Sequence, residues 1–115
     1  MEITIYHKPS CSKSCEVLQL IKGKKIKPTI INYIENPPTK KELKELLKKL
    51  GMKAEELVRK KEHIYKDNFE GKKFTEAQWI EILIKNPVLI ERPIVVKGDK
   101  AIIVRPNERL AEILG

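Results

Sequence analysis

The stretch Ile3–Leu18, ITIYHKPSCSKSCEVL, constrains the fold more than any other part of the chain. Ile3 and Ile5 alternate as in a half-buried strand that ends at Tyr6, a turn containing Pro9 follows, and a helical pattern begins at Ser10 or Cys11. Residues 2–6 thus read as a strand and about 11–22 as a helix with Val17, Leu18 and Ile21 inward. The run TIINYI (29–34) is a second strand, so the start of the chain is a β-α-β unit whose strands the crossover rule makes parallel. Cys11 falls at the strand–helix junction, with its sulfur near the first unpaired N–H groups of the helix. Those groups and the helix dipole favour negative charge, lower a thiol's pKa and attract oxyanions.

Beyond the unit, Asn36-Pro37-Pro38 breaks the chain, and Thr39 with Glu42 forms a capping box. Leu43, Leu46, Leu47 and Leu50 follow at helical spacing until Gly51. A shorter helical segment is expected at about 53–61, carrying Leu57, Val58 and Arg59. Residues 62–74 have no clear period and read mostly as loop. Thr75 with Gln78 repeats the capping signature ahead of Trp79, Ile80, Leu83 and Ile84, and Asn86-Pro87 ends that helix. Two strand-like runs, 94–96 and 101–104, join around Gly98-Asp99, a hairpin signal. Asn107 can cap a final helix with Leu110, Ile113 and Leu114. The compact solution is an α/β fold, a four-stranded mixed sheet with helices on its faces. One domain spanning 1–115 is expected, with the helical block at about 39–85 inserted between its β-α-β and β-β-α halves.

Charge narrows the function classes. The net charge is +8, yet acidic residues are interleaved with lysines (KKELKELLKKL, AEELVRKKE), as on solvated helix faces and not on a nucleic-acid patch. No apolar run reaches the length of a transmembrane helix. A strand starts at once with no basic leader or apolar h-region, so a cytoplasmic location is expected. Two cysteines four residues apart are too local to staple a fold, and with His7 and His63 far apart in sequence no metal site is expected. Redox chemistry is the natural use of such a pair.

The segments IYHKPSCSKS, PPTKKELKELLKKLG, LVRKKE, LIERPIVV and VRPNERLAEIL together resemble the glutaredoxin-linked arsenate reductases, in order and over nearly the whole chain. The strand–Cys–helix start and Pro93 directly before the third strand are likewise similar to the thioredoxin fold. The resemblance implies a thioredoxin-like architecture in which Pro93 is a cis-proline facing the cysteine. It further implies that Cys11 attacks arsenate, that His7 helps keep the thiol ionised, and that Arg59, Arg92 and Arg105 bind the oxyanion. The second thiol that resolves the adduct is implied to be external, glutathione with glutaredoxin or another thiol such as a thioredoxin-like protein, with no bound cofactor; in this chain Cys15 is the other candidate for that step. Cys15 departs from the pattern, which commonly has arginine there. A general thiol–disulfide oxidoreductase using Cys11 and Cys15 is therefore an alternative. A redox-sensing regulator of the Spx type, which binds RNA polymerase, is another, although Spx cysteines are spaced C-x-x-C.

The residues themselves bear on these readings. Cys11 follows Pro-Ser in a polar turn, as a reactive thiol does, and not an apolar run. Of 24 basic residues only four are arginine (59, 92, 105 and 109), so lysine is the default solvated cation. Three of those four occupy the expected oxyanion positions, and a guanidinium presents a planar fork of donors to a tetrahedral anion. Ser12, Lys13 and Ser14 add donors in the first helical turn. In a regular helix Cys15 lies under Cys11 at a Cα separation of about 6 Å, near the upper end for a disulfide, and parallel Cβ vectors fit badly. A Cys11–Cys15 bond is thus expected to need a distorted first turn, and a packed small residue is the other reading of Cys15.

Overall fold

The computed structural model describes residues 2–104 and 107–114, and of residues 107 and 108 the backbone only. They form two compact units, one made of residues 1–36 with 92–115 and the other of residues 37–91.

The first unit holds the sheet. Strand β1 (Ile3–His7) leads into helix α1 (Ser12–Gly23) and strand β2 (Thr29–Asn32); strands β3 (Ile94–Lys97) and β4 (Lys100–Ile103) form the closing hairpin. The order is β2-β1-β3-β4. β1 pairs with β2 in parallel and with β3 antiparallel, and β3 with β4 antiparallel. This four-stranded mixed sheet with its flanking helices is a thioredoxin-like fold. Gly98 supplies the positive φ (60°) for the first position of the two-residue hairpin turn. One core joins Ile3 and Ile5 of β1, Val17, Leu18 and Ile21 of α1, Val95 of β3, and Leu110 and Ile113 from the C-terminal end. There, a 3₁₀ turn (Asn107–Leu110) runs into helix α5 (Ala111–Leu114). β2 stops at Asn32, short of the expected 34. The Asn32 side-chain oxygen accepts from the N–H groups of Ile34 (3.2 Å) and Glu35 (3.3 Å), closing a local turn that competes with the ladder.

In the second unit, helix α2 (Lys40–Leu50) starts at the expected box: Thr39 Oγ1 accepts from Glu42 N (3.1 Å) and Glu42 Oε1 from Thr39 N (2.9 Å). It ends at Gly51 with φ 68°. The segment expected to be helical over 53–61 is only a 3₁₀ turn, Ala54–Leu57. Past it the backbone extends, because Val58 bridges Ile90: Arg59 N donates to Leu89 O (2.7 Å) and Glu91 N to Leu57 O (2.9 Å). Conversely, the expected loop contains helix α3 (His63–Asn68). None of its residues is buried, so a hydrophobic period is missing. Its Tyr65, one turn before Phe69, stacks on Trp79 of helix α4 (Glu76–Lys85) at 6.4 Å, and Phe69 and Phe74 complete the ring cluster. Among the described residues no helix is long and apolar enough to cross a membrane.

Candidate active site

The site grows from the parity of β1. Ile3, Ile5 and His7 are its buried positions, so His7 shares the face that α1 covers. The chain then turns, Cys11 N donating to Lys8 O at 2.9 Å, and α1 begins with Cys15 N donating to Cys11 O at 3.0 Å. Cys11 takes the N-cap with extended angles (φ −97°, ψ 118°), a position usually held by an oxygen side chain. β3 runs antiparallel to β1 with Ile94 opposite Tyr6, which brings the residues just before β3 to the same end of the sheet. These are Arg92 and Pro93, joined by a cis peptide bond and both buried. Pro93 O accepts from Val104 N at 2.9 Å.

Several groups converge on the Cys11 sulfur. Partial burial pushes its pKa up, but the Ser14 backbone N–H, the Arg92 side chain by hydrogen bond and charge, and the Lys13 backbone N–H outweigh it. The net result is a thiol below its ordinary value, hence a larger thiolate fraction near neutral pH. No acidic residue stands in the first turn of α1 to oppose this.

His7 meets Ser14 rather than the sulfur, with Nδ1 2.6 Å from Ser14 Oγ. The same oxygen accepts from Lys8 N at 3.2 Å, and Ser14 is fully buried. Burial, and then the charge of Lys22, lower the His7 pKa, so the ring is neutral at neutral pH. A neutral ring can accept the Ser14 hydroxyl proton at Nδ1, and the pair anchors the residue whose backbone N–H faces Cys11. The Ser14 side chain is thus committed to His7 and Lys8. Ser12 and Lys13 are exposed, and Lys13 Nζ lies 3.8 Å from Glu16 Oε2. Cys15 is half-buried and its Sγ donates to Pro9 O at 3.3 Å.

Arg59 belongs to the second unit. Its Nε lies 3.7 Å from Glu62 and its Nη1 3.8 Å from Glu91, neither close enough for a hydrogen bond, and both atoms are buried without a hydrogen-bond partner. Arg105 lies outside the described residues. Arg109, the fourth arginine, is half exposed and holds Glu112 Oε2 (3.0 Å) and Ile103 O (3.2 Å). Residue types could not reveal the Lys8 N–H and Pro9 carbonyl, which are backbone groups. The buried face of His7 did leave a signal, the two-residue rhythm Ile3, Ile5, His7, but its pairing with Ser14 left none.

The ArsC family model matches residues 6–113. An uncharacterized protein of Escherichia coli K12, YfgD, is 45% identical over 99% of this chain and 98% of its own length. A Haemophilus influenzae protein named arsenate reductase is 40% identical over 99% of this chain and all of its own. The solved structure of an arsenate reductase from Vibrio cholerae superposes with a TM-score of 0.93 at 40% identity, covering 99% of this chain and 98% of that one. Matched along nearly its whole length in both sequence and fold, the chain belongs to the ArsC family, that of the arsenate reductases.

Proposed function

We propose that this protein reduces arsenate, or an oxyanion of the same shape and charge, with Cys11 as nucleophile. The observation that carries the reading is the Cys11 thiol at the N-cap of α1, held below its ordinary pKa against the Arg92 side chain and two backbone N–H groups. The thiolate attacks arsenic and one hydroxyl leaves as water. Arg92 and the N–H groups of the first turn stabilise charge on the remaining oxygens. Arg59 and Arg105 are assigned as further oxyanion donors by their motifs, LVRKK and VRP. His7 acts through Ser14 as a positioning residue, and Ser12 and Lys13 contribute backbone donors. An external thiol, glutathione with glutaredoxin or a thioredoxin-like protein, returns the enzyme to its reduced state. Neither a metal nor an organic cofactor enters this scheme. A cytoplasmic setting, where thiols are kept reduced, suits it.

The test is arsenite formation from arsenate with each reductant system in turn. The wild type is expected to turn over with at least one of them. Cys11→Ser should abolish the reaction, and Arg92→Ala should slow it about 10²–10³-fold, as loss of one preorganised oxyanion donor does. Wild-type protein that forms no arsenite above the thiol background with any donor overturns the reading.

A further inference from the structure

The second cysteine sits where most chemistry-bearing residues of this unit converge, yet an external reductant gives it nothing to do. Its surroundings argue for a task. Cys15 Sγ lies back along α1 over the turn before the helix, donating to Pro9 O at 3.3 Å, so it occupies the same helix end as Cys11. The Cys15 N–H bond to Cys11 O, at 3.0 Å, holds the two backbones one turn apart. The stacked, parallel Cβ vectors that disfavour a disulfide between helical i and i+4 residues require both to have helical angles. Cys11 does not: at φ −97° and ψ 118° it stands outside the helix, and only Cys15 lies within it. Cys15 also lines an open groove with Glu16, Gln19 and Leu20, so its sulfur is within reach of solvent and reductant.

We propose that Cys15 is the resolving thiol, forming an intrachain disulfide with Cys11 that releases arsenite without any external thiol in that step. The proposal rests on the arsenate-reductase reading. In the adduct Cys11 Sγ is bonded to pentavalent arsenic. Cys15 gives up its proton to solvent and so loses the hydrogen bond to Pro9 O, whose oxygen then repels the thiolate. The freed sulfur attacks Cys11 Sγ. The S–S bond forms as the S–As bond breaks, and the bonding pair goes to arsenic, which leaves as trivalent arsenite after taking up protons. Two thiols are oxidised, one arsenate is reduced, and one water has left in the first step. The external reductant is then needed only afterwards, to attack the disulfide from the groove beside Cys15.

Single-turnover stoichiometry tests this. Fully reduced protein, freed of small thiols under anaerobic conditions, is mixed with arsenate, and arsenite, free thiols and disulfide-linked peptides are measured. The wild type is expected to release one arsenite per chain, lose both thiols and yield a Cys11–Cys15 peptide pair within a monomer. Cys15→Ser should release none and keep its Cys11 thiol titratable once unreacted arsenate is removed. The pH profile of Cys11 alkylation in Cys15→Ser, compared with wild type, verifies that the variant's first turn is intact. Arsenite from the wild type only when glutathione and glutaredoxin are added, with no thiol-free release, overturns the proposal and leaves the reductase reading standing. A disulfide between two chains overturns it as well. No arsenite under either condition removes both.

Discussion

Ser14 shows what a single hydroxyl can organise. Its oxygen accepts from Lys8 N and meets His7 Nδ1, while its backbone N–H is the largest of the influences lowering the Cys11 pKa. Ser14→Ala removes the shared partner of the buried His7 ring and the part-buried Lys8 N–H, and one unsatisfied buried group costs on the order of 1–3 kcal/mol. Urea unfolding should therefore show a loss of about that size. The midpoint of Cys11 alkylation against pH should also move up toward that of an ordinary thiol, because the N–H facing the sulfur is no longer anchored. The pH dependence of stability has a definite sign for both titrating residues. Cys11 has a depressed folded pKa, so its contribution is complete above the ordinary thiol value and is lost as pH falls through the folded one. His7 is depressed too, so stability declines as pH drops below 6.5, where the unfolded chain takes up a proton that the folded chain refuses. An alkylation midpoint identical in Ser14→Ala and wild type contradicts this account. At this scale the sequence made Cys11 legible through its junction of strand, turn and helix. The partner of His7 was not legible, because the contact crosses seven residues and a turn.

Elements were legible where a local signal states their ends. The boxes at Thr39/Glu42 and Thr75/Gln78 both form, and Gly51 closes α2 in the left-handed region. These ends should carry measurable stability. Thr39→Ala is expected to cost about 1 kcal/mol through loss of the cap. Gly51→Ala should cost about 1–2 kcal/mol, because φ is 68° and a Cβ would meet nothing, leaving only the backbone penalty. The two lie at opposite ends of an eleven-residue helix, so the double variant should show their sum within about 0.5 kcal/mol in urea unfolding. A markedly smaller sum would mean the ends of α2 are not independent. Where tertiary pairing decides the outcome, local patterns mislead. Leu57, Val58 and Arg59 have helical neighbours, but the bridge to Ile90 draws Val58 into an extended backbone. α3 lacks a buried stripe and is tied down instead by Tyr65 and Phe69 against Trp79, an i,i+4 ring pair that the apolar count overlooks.

For the whole molecule, chain order was enough to read a four-stranded mixed sheet, since a β-α-β unit makes β1 and β2 parallel and a hairpin makes β3 and β4 antiparallel; the placing of β3 beside β1 and antiparallel to it is set by neither. The division of the chain at residues 37 and 91 had one local marker, the Asn36-Pro37-Pro38 break; its other end lies past Asn86-Pro87, where the inserted block at about 39–85 was expected to stop. Net charge belongs to all 115 residues at once, and it bears directly on the anionic substrate proposed above. A surplus of eight positive charges raises the local concentration of anions and speeds their encounter. Screening then shortens the reach of that field from about 30 Å at 0.01 M salt to about 8 Å at physiological ionic strength. The second-order constant kcat/KM for arsenate should accordingly fall several-fold, on the order of 3–10, across that range. By contrast kcat should change little, because the bound anion is held by short-range donors that salt does not screen. The measurement is initial rates at varied sodium chloride with saturating reductant, repeated with an uncharged thiol donor so that docking of a charged reductant cannot produce the trend. A salt-independent kcat/KM would mean that the lysines are neutralised locally by their interleaved glutamates, and that only Arg92 and the first turn of α1 attract the substrate.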